Sequence, residues 1–309
     1  MRTGRTFRSV AWSRVLAAAI LITASALGAQ ETPQGLQRKM RLLDENEVRI
    51  VLNRAEEGNP VSQLWAGLIY DLGQHVTADH KTAAQYYAKA ASQGSAPAAF
   101  LLADMYLKGS ALEKDPAKAL QLYKQAADAE YGPAMTALAN IYVSGGAPEQ
   151  SVAEAFKLLT RAAKQGEPEA EYKLGLMYRD GQGTNRDCEL AIKWIVAAAN
   201  QKYAPAQAGV GDVYSSGTCV PQDYARAAKV YELAANQNEA AAAAKLGELY
   251  ADGHGVKQDP ETAYKWFTIA KAEGIASDRQ EKLRSQLSKD QIGAAETAAE
   301  VWIKAHKKE

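Results

Sequence analysis

Along most of the chain, apolar residues recur at the three-and-four spacing of amphipathic helices, and the pattern is interrupted at regular places by glycine, aspartate and proline. The interruptions keep a fixed period. Tyr70, Tyr106, Tyr142, Tyr178, Tyr214 and Tyr250 are each separated by 36 residues, a period that marks stacked structural repeats. Three residues after each tyrosine stand Gly73, Gly109, Gly145, Gly181, Gly217 and Gly253, where the apolar pattern stops. These predict left-handed helix C-caps. Nine residues after the tyrosine come Asp79, Asp115, Ser151, Asp187, Asp223 and Asp259, side chains that accept from the unpaired N–H groups of a new helix. Asp115 and Asp259 are followed by proline at the first helical position, and Ser151 with Glu154 forms a capping box.

Each period therefore predicts a first helix, a glycine-bearing turn and a second helix. On the second helix Ala83, Ala119, Ala155, Ala191, Ala227 and Ala263 recur, with Ala90, Ala126, Ala162, Ala198, Ala234 and Ala270 two turns later on the same face. Three residues before each tyrosine lie Gly67, Ala103, Ala139, Gly175, Gly211 and Gly247, so small residues are expected on both helices where they cross. Leu102, Leu138, Leu174 and Leu246, with Tyr86, Trp194, Trp266 and Phe267, fill the seams between repeats, since one helix pair cannot bury such faces alone. Second helices close at Gly58, Gly94, Gly166 and Gly274, with Glu130, Lys202 and Asn238 in the other equivalent places.

The array needs polar ends. Residues 30–58 read as an N-terminal capping helix, the second helix of a degraded repeat that carries Glu47 and Arg54 where alanine is otherwise found. Residues 59–276 hold the six repeats, and 277–309 read as C-terminal capping helices, with Ser288 and Gln291 spaced as a capping box and Ile292, Ala295, Ala298 and Trp302 on one face. The fold class expected is all-α, an α/α solenoid of six 36-residue helix-turn-helix repeats capped at both ends.

The pattern A-x-x-L-G-x-x-Y-x-x-G-x-G-x-x-x-D-x-x-x-A-x-x-W-x-x-x-A-A-x-x-G resembles the Sel-1-like repeat family, relatives of the tetratricopeptide repeats. The resemblance covers about residues 59 to 274 and is closest in "YKLGLMYRDGQG" and "AKLGELYADGHGVKQDPETAYKW"; the third repeat departs in "VSGGAPEQS". It implies a right-handed superhelix whose first helices line the concave surface, used as a non-enzymatic scaffold or adaptor for a protein or peptide partner, in bacteria often in the periplasm or envelope. Some cysteine-rich relatives are associated with penicillin-like compounds, which makes a small ligand such as a β-lactam or cell-wall fragment the alternative.

Composition changes the picture at one end. Residues 1–29 carry Arg2, Arg5, Arg8 and Arg14 ahead of an apolar run from Val15 to Leu27 and the small-residue sequence "ASALGAQ", which predicts a secretory signal peptide cleaved after Ala29 or Ala26. The run is shorter than the ~20 residues of a membrane-spanning helix, so no stable membrane insertion is expected after cleavage. Removing four arginines and no acid moves the formal charge from 0 to −4, against a nucleic-acid partner. The only cysteines, Cys188 and Cys219, fall in inter-helix loop regions of adjacent repeats, and with export to an oxidising compartment they predict a disulfide.

Little else suggests chemistry. Gly181-Gln-Gly183 and Gly253-His-Gly255 follow helices rather than strands and lack the further residues of phosphate-binding loops. His75, His80, His254 and His306 form no metal-ligand spacing, and no serine has lysine three places on, as penicillin-reactive enzymes require. No catalytic residue, metal or cofactor is expected. Positions where the copies disagree are the better guide to a partner: on one face of the first helices lie Trp65 and Leu68; Leu101, Asp104 and Leu107; Lys173, Leu176 and Arg179; Asp212; Lys245 and Glu248. That face predicts a peptide-binding groove, apolar in repeats 1 and 2 and charged from repeat 4 onward. The alternative reading is that Trp65, Leu68, Leu101 and Leu107 pack beneath the N-terminal segment.

Overall fold

The computed structural model describes residues 31–145 and 152–306; the predicted signal peptide and the Ser151 cap lie outside them. Among the described residues there are 16 helices and no strand. The chain divides between Gln165 and Gly166 into two compact units.

In the first unit, α1 (Pro33–Met40) and α2 (Glu45–Glu56) precede three helix pairs: α3 (Pro60–Leu72) with α4 (His80–Ser92), α5 (Ala96–Lys108) with α6 (Pro116–Asp128), and α7 (Gly132–Ser144) with α8 (Val152–Lys164). The second unit holds α9 (Pro168–Asp180) with α10 (Cys188–Asn200), α11 (Ala204–Ser216) with α12 (Tyr224–Ala235), and α13 (Ala240–Asp252) with α14 (Pro260–Ala272), followed by α15 (Asp278–Arg284) and α16 (Lys289–His306). Within each unit every second helix packs on its own first helix and, where another pair follows in that unit, on the first helix of that pair.

The six tyrosine-plus-three glycines all sit at helix C-caps with φ between 68° and 78°, a left-handed conformation that a Cβ disfavours. The five described aspartate caps accept from backbone N–H groups of the next helix, as Asp187 Oδ1 does from Leu190 at 2.9 Å. A backbone bond explains why tyrosine and aspartate stay nine apart: the Asp223 N–H donates to the Tyr214 carbonyl at 2.9 Å, and Asp79, Asp115, Asp187 and Asp259 do the same. Glu130, Lys202 and Asn238 hold the same left-handed turn as the glycines they replace, with φ of 59°, 62° and 67°.

Both alanine stripes are buried. The crossing, however, is small against large, not small against small. A Cβ on Gly211 would lie 2.5 Å from Tyr231 Cε1, and one on Gly67 would lie 2.4 Å from Tyr87 Cε1. The residue four after the first alanine supplies the bulk, and Ile195 and Phe267 do so against Gly175 and Gly247. The first helix is narrowed to let that side chain through.

The ends differ in detail from expectation. The N-terminal cap is two helices, because Asp44 accepts from the Glu47 N–H while the Glu47 carboxylate accepts from the Asp44 N–H, a capping box that restarts the chain. The inward face of α2 is then Val48, Val51 and Ala55, and Arg54 is exposed. At the other end Ser288 and Gln291 pair as expected, and α16 lies on α14. Its buried residues are Ala295 and Ala299, with Ala298 outside.

Candidate interaction site

In the first unit the chain's own N-terminal segment lies against α3 and reaches the start of the third repeat. Helix α1 packs on α3 with Leu36 and Met40 fully buried. The segment is pinned at both ends: the Tyr131 hydroxyl donates to the Glu31 carbonyl at 2.8 Å, and His75 Nε2 meets the Leu43 carbonyl at 3.1 Å. Trp65, Leu68 and Leu101 are 6 %, 0 % and 8 % exposed, so they are core residues and not the floor of an open apolar groove. Leu107 is at the surface. Asp104 accepts from the Tyr123 hydroxyl and pairs with Lys108 at 3.2 Å.

The second unit leaves the corresponding face open. Helices α9, α11 and α13 border a concavity of about 610 Å³, to which Arg179, Asp212, Lys245 and Glu248 all contribute. The structure thus brings together four of the variable positions from three successive repeats. Lys173 and Leu176 stand outside it; Lys173 pairs with Glu169 at 3.6 Å.

Further walls come from carboxylates at helix ends, which by sequence were expected in solvent, and from two tyrosines. Asp180 and Asp252 are the last residues of α9 and α13, while Tyr224 and Tyr231 reach in from α12. The Tyr231 ring is core; only its hydroxyl emerges, donating to Asp212 Oδ1 at 2.7 Å beside Ser215 Oγ at 3.0 Å. Burial and the neighbouring Asp212 carboxylate raise the Tyr231 hydroxyl well above the ordinary tyrosine range. It is therefore a fixed donor. His254 stacks on Tyr224 with ring centroids 4.8 Å apart.

Four carboxylates and two cations line the concavity, an excess of negative charge. Arg179 spends its charge locally: Nε and an Nη donate to the Asp180 oxygens at 2.7 and 2.9 Å. That pairing holds Asp180 below the usual carboxylate range and the guanidinium above its own. Lys245 meets Glu248 at 3.1 Å. Arg279, from α15, binds Asp252 and lowers it. Asp212 has no such partner: it forms no ion pair with any described cation.

Cys188 and Cys219 are joined by a disulfide, with Cα atoms 5.1 Å apart. Cys188 is the first residue of α10, not a loop residue. Cys219 takes φ 73° at the place of the second glycine of the Gly-x-Gly turn, next to the lining residue Thr218. The same turn position meets the preceding second helix or its counterpart elsewhere by other means. His75 bonds to Leu43, and Gly255 presses on the backbone of Tyr224 and Ala225, where a Cβ would come within 2.3 Å. No group of histidine, cysteine and carboxylate side chains among the described residues could hold a metal ion, and none of the described helices is long and apolar enough to cross a membrane.

The family model for the Sel1 repeat matches residues 60–95, 96–131, 132–167, 168–203, 204–239 and 240–275. Among solved structures, a Sel1 repeat protein from Oxalobacter formigenes is 26% identical, over 84% of this chain and 99% of that one, with a TM-score of 0.67. The protective antigen c5321 of uropathogenic Escherichia coli, which displays an SLR fold, is 23% identical over 94% and 79% of the two chains, with a TM-score of 0.46. The immunity protein PA5088 from Pseudomonas aeruginosa is 24% identical over 80% and 88%, with a TM-score of 0.45. The comparison with curated proteins finds no match.

Proposed function

Because this chain belongs to the Sel1 repeat family, whose repeats serve protein interaction, we propose that it is a non-enzymatic scaffold or adaptor that binds a polypeptide segment on the first-helix face of its second unit. The observation that carries this is the contrast between the two units. The N-terminal helix α1 already lies across α3 in the first unit, whereas the α9–α11–α13 face is open and lined by Arg179, Asp212, Lys245 and Glu248. A face able to hold one amphipathic segment is here presented without one.

Export to the periplasm or beyond is part of this reading. Its supports are the N-terminal arginine-led apolar run and the Cys188–Cys219 disulfide, a bond that persists in oxidising compartments. The test is affinity capture from an envelope extract with the full-length chain and a Lys245→Ala, Glu248→Ala variant. A protein retained by the first and lost from the second is the expected result; equal retention by both places the interaction elsewhere. The concavity also falls within the ~300–1,000 Å³ range of small-ligand pockets. A thermal shift with β-lactams or cell-wall fragments in place of any protein capture is the outcome that favours the small-ligand alternative.

A further inference from the structure

Repeats 2 and 5 contain the same device with one part changed. In repeat 2 the buried Tyr123 donates its hydroxyl to Asp104, and Lys108, one turn along α5, meets the same carboxylate at 3.2 Å. In repeat 5 the buried Tyr231 donates to Asp212 at 2.7 Å, but the residue one turn along α11 is Ser216. Ser216 turns its hydroxyl to the Asp212 backbone carbonyl at 2.7 Å and brings no charge.

Every other carboxylate lining the concavity has a cation: Arg179 on Asp180, Lys245 on Glu248 and Arg279 on Asp252. A half-buried carboxylate oriented by one fixed donor, with no cation in contact and Arg179 acting on it only at a distance, favours a cation placed on its remaining lone pairs. The neighbouring wall suits the rest of such a group. Tyr224 and His254, stacked on one another, both line the same concavity, and guanidinium groups and aliphatic stems lie well on aromatic rings.

Resting on the interaction surface proposed above, we propose that Asp212 is the anchor point for a lysine or, preferably, arginine side chain of the bound segment, which supplies the cation that Lys108 supplies internally in repeat 2. Arginine is favoured because its planar fork can engage the carboxylate while its face lies on the Tyr224–His254 stack. The partner is thus a segment with a basic residue at its centre, and the acidic excess of the site steers it in.

The test uses the ¹⁵N-labelled full-length chain and two capped heptapeptides that differ only at the central residue, arginine in one and its neutral isostere citrulline in the other. The expected result is saturable amide shifts confined to the Asp212–Ser216 turn and the start of α12 with the arginine peptide, and at least tenfold weaker binding of the citrulline peptide. Asp212→Asn is expected to lose at least tenfold in affinity for the arginine peptide. Ser216→Lys, which rebuilds the repeat 2 arrangement and keeps the carboxylate, is expected to lose as much while the rest of the spectrum is unchanged; it keeps the question open to an answer if the asparagine variant fails to fold. Equal binding of the two peptides, no binding of either, or unchanged affinity in Ser216→Lys overturns the proposal. Capture from extract separates the two levels. A partner lost from Lys245→Ala, Glu248→Ala but kept by both Asp212→Asn and Ser216→Lys removes the cation anchor and leaves the interaction surface; a partner kept by all three variants removes both.

Discussion

Replacing Cys188 and Cys219 with serine tests how much of the second unit's stability resides in one covalent link. The bond closes a loop of 31 residues. The chain-entropy relation for such a loop gives about 12 cal/mol/K, or about 3.7 kcal/mol at 25 °C, of constraint removed from the unfolded state. That is a large share of the ~5–15 kcal/mol that holds a typical domain together. The fold itself should survive, because equivalent junctions hold without a covalent link: Gly255 against Tyr224 and Ala225, and His75 hydrogen-bonded to Leu43. With a urea slope of about 2–3 kcal/mol/M for a unit of this size, the loss becomes a midpoint shift of roughly 1–2 M. The assay is urea unfolding followed by helical circular dichroism for three samples: oxidised wild type, wild type in reductant, and the double serine variant. The last two should coincide, with a slope close to that of the first in any transition assigned to the second unit. A difference below about 1 kcal/mol would refute the reasoning, since the loop would then be constrained in the unfolded chain by something else. So would loss of helical signal from the serine variant without urea, which would make the bond a condition of folding and not a brace.

Gly211→Ala should destabilise by about 1–2 kcal/mol, the cost of overpacking less the helix propensity gained, because the new Cβ would lie 2.5 Å from a ring that is 1% exposed; thermal unfolding no lower than wild type would contradict the small-against-large crossing. Asp223→Ala should cost about 1 kcal/mol through loss of the cap on the Arg226 N–H, while Asp223→Asn should restore most of it; equal losses in urea melts for both would assign the role to charge instead. Burial, with Glu169 and then Glu171 nearby, pushes the Glu167 carboxyl up to about 7 from 4.5. Between those values the folded state binds the proton more tightly than the unfolded chain, so stability falls as pH rises through that window. Glu167→Gln should therefore match wild type near pH 4.5 and exceed it at pH 8; a variant less stable at pH 8 would reverse the sign of the argument.

The repeat frame could be read from the sequence because its determinants are local and recur: a tyrosine, a left-handed glycine and an aspartate at fixed offsets. The αL turns at His75, Ala111 and Cys219 were hidden, since only Gly183 and Gly255 carry the residue type that announces that conformation. The burial of Trp65, Leu68 and Leu101 was one of two readings their sequence allowed, the other being an open groove. The segment that closes the first unit's face lies outside the repeats, and no periodicity ties Leu36 or Met40 to what they meet. Arg179, Asp212, Lys245 and Glu248 stood out because packing does not fix them. Tyr231 did not, because a residue whose ring belongs to the core and whose hydroxyl belongs to the site looks like core alone. The Sel1 repeat gives the platform, and departures from its consensus mark where this chain has become particular.

The contact between Tyr131 and Glu31 spans 100 residues, in a fold whose helix pairs are otherwise built between near neighbours in sequence. Local pairs form early, and a long loop must wait for both its ends. During synthesis the segment that carries Glu31, Leu36 and Met40 emerges before any of the repeats; its contacts with α3 and His75 need only the first repeat, yet its Glu31 end cannot be pinned until Tyr131, at the start of the third, has been made. The first unit should then acquire its helices quickly and its N-terminal closure last. In that interval Leu36 and Met40, fully buried in the finished unit, are held at one end only.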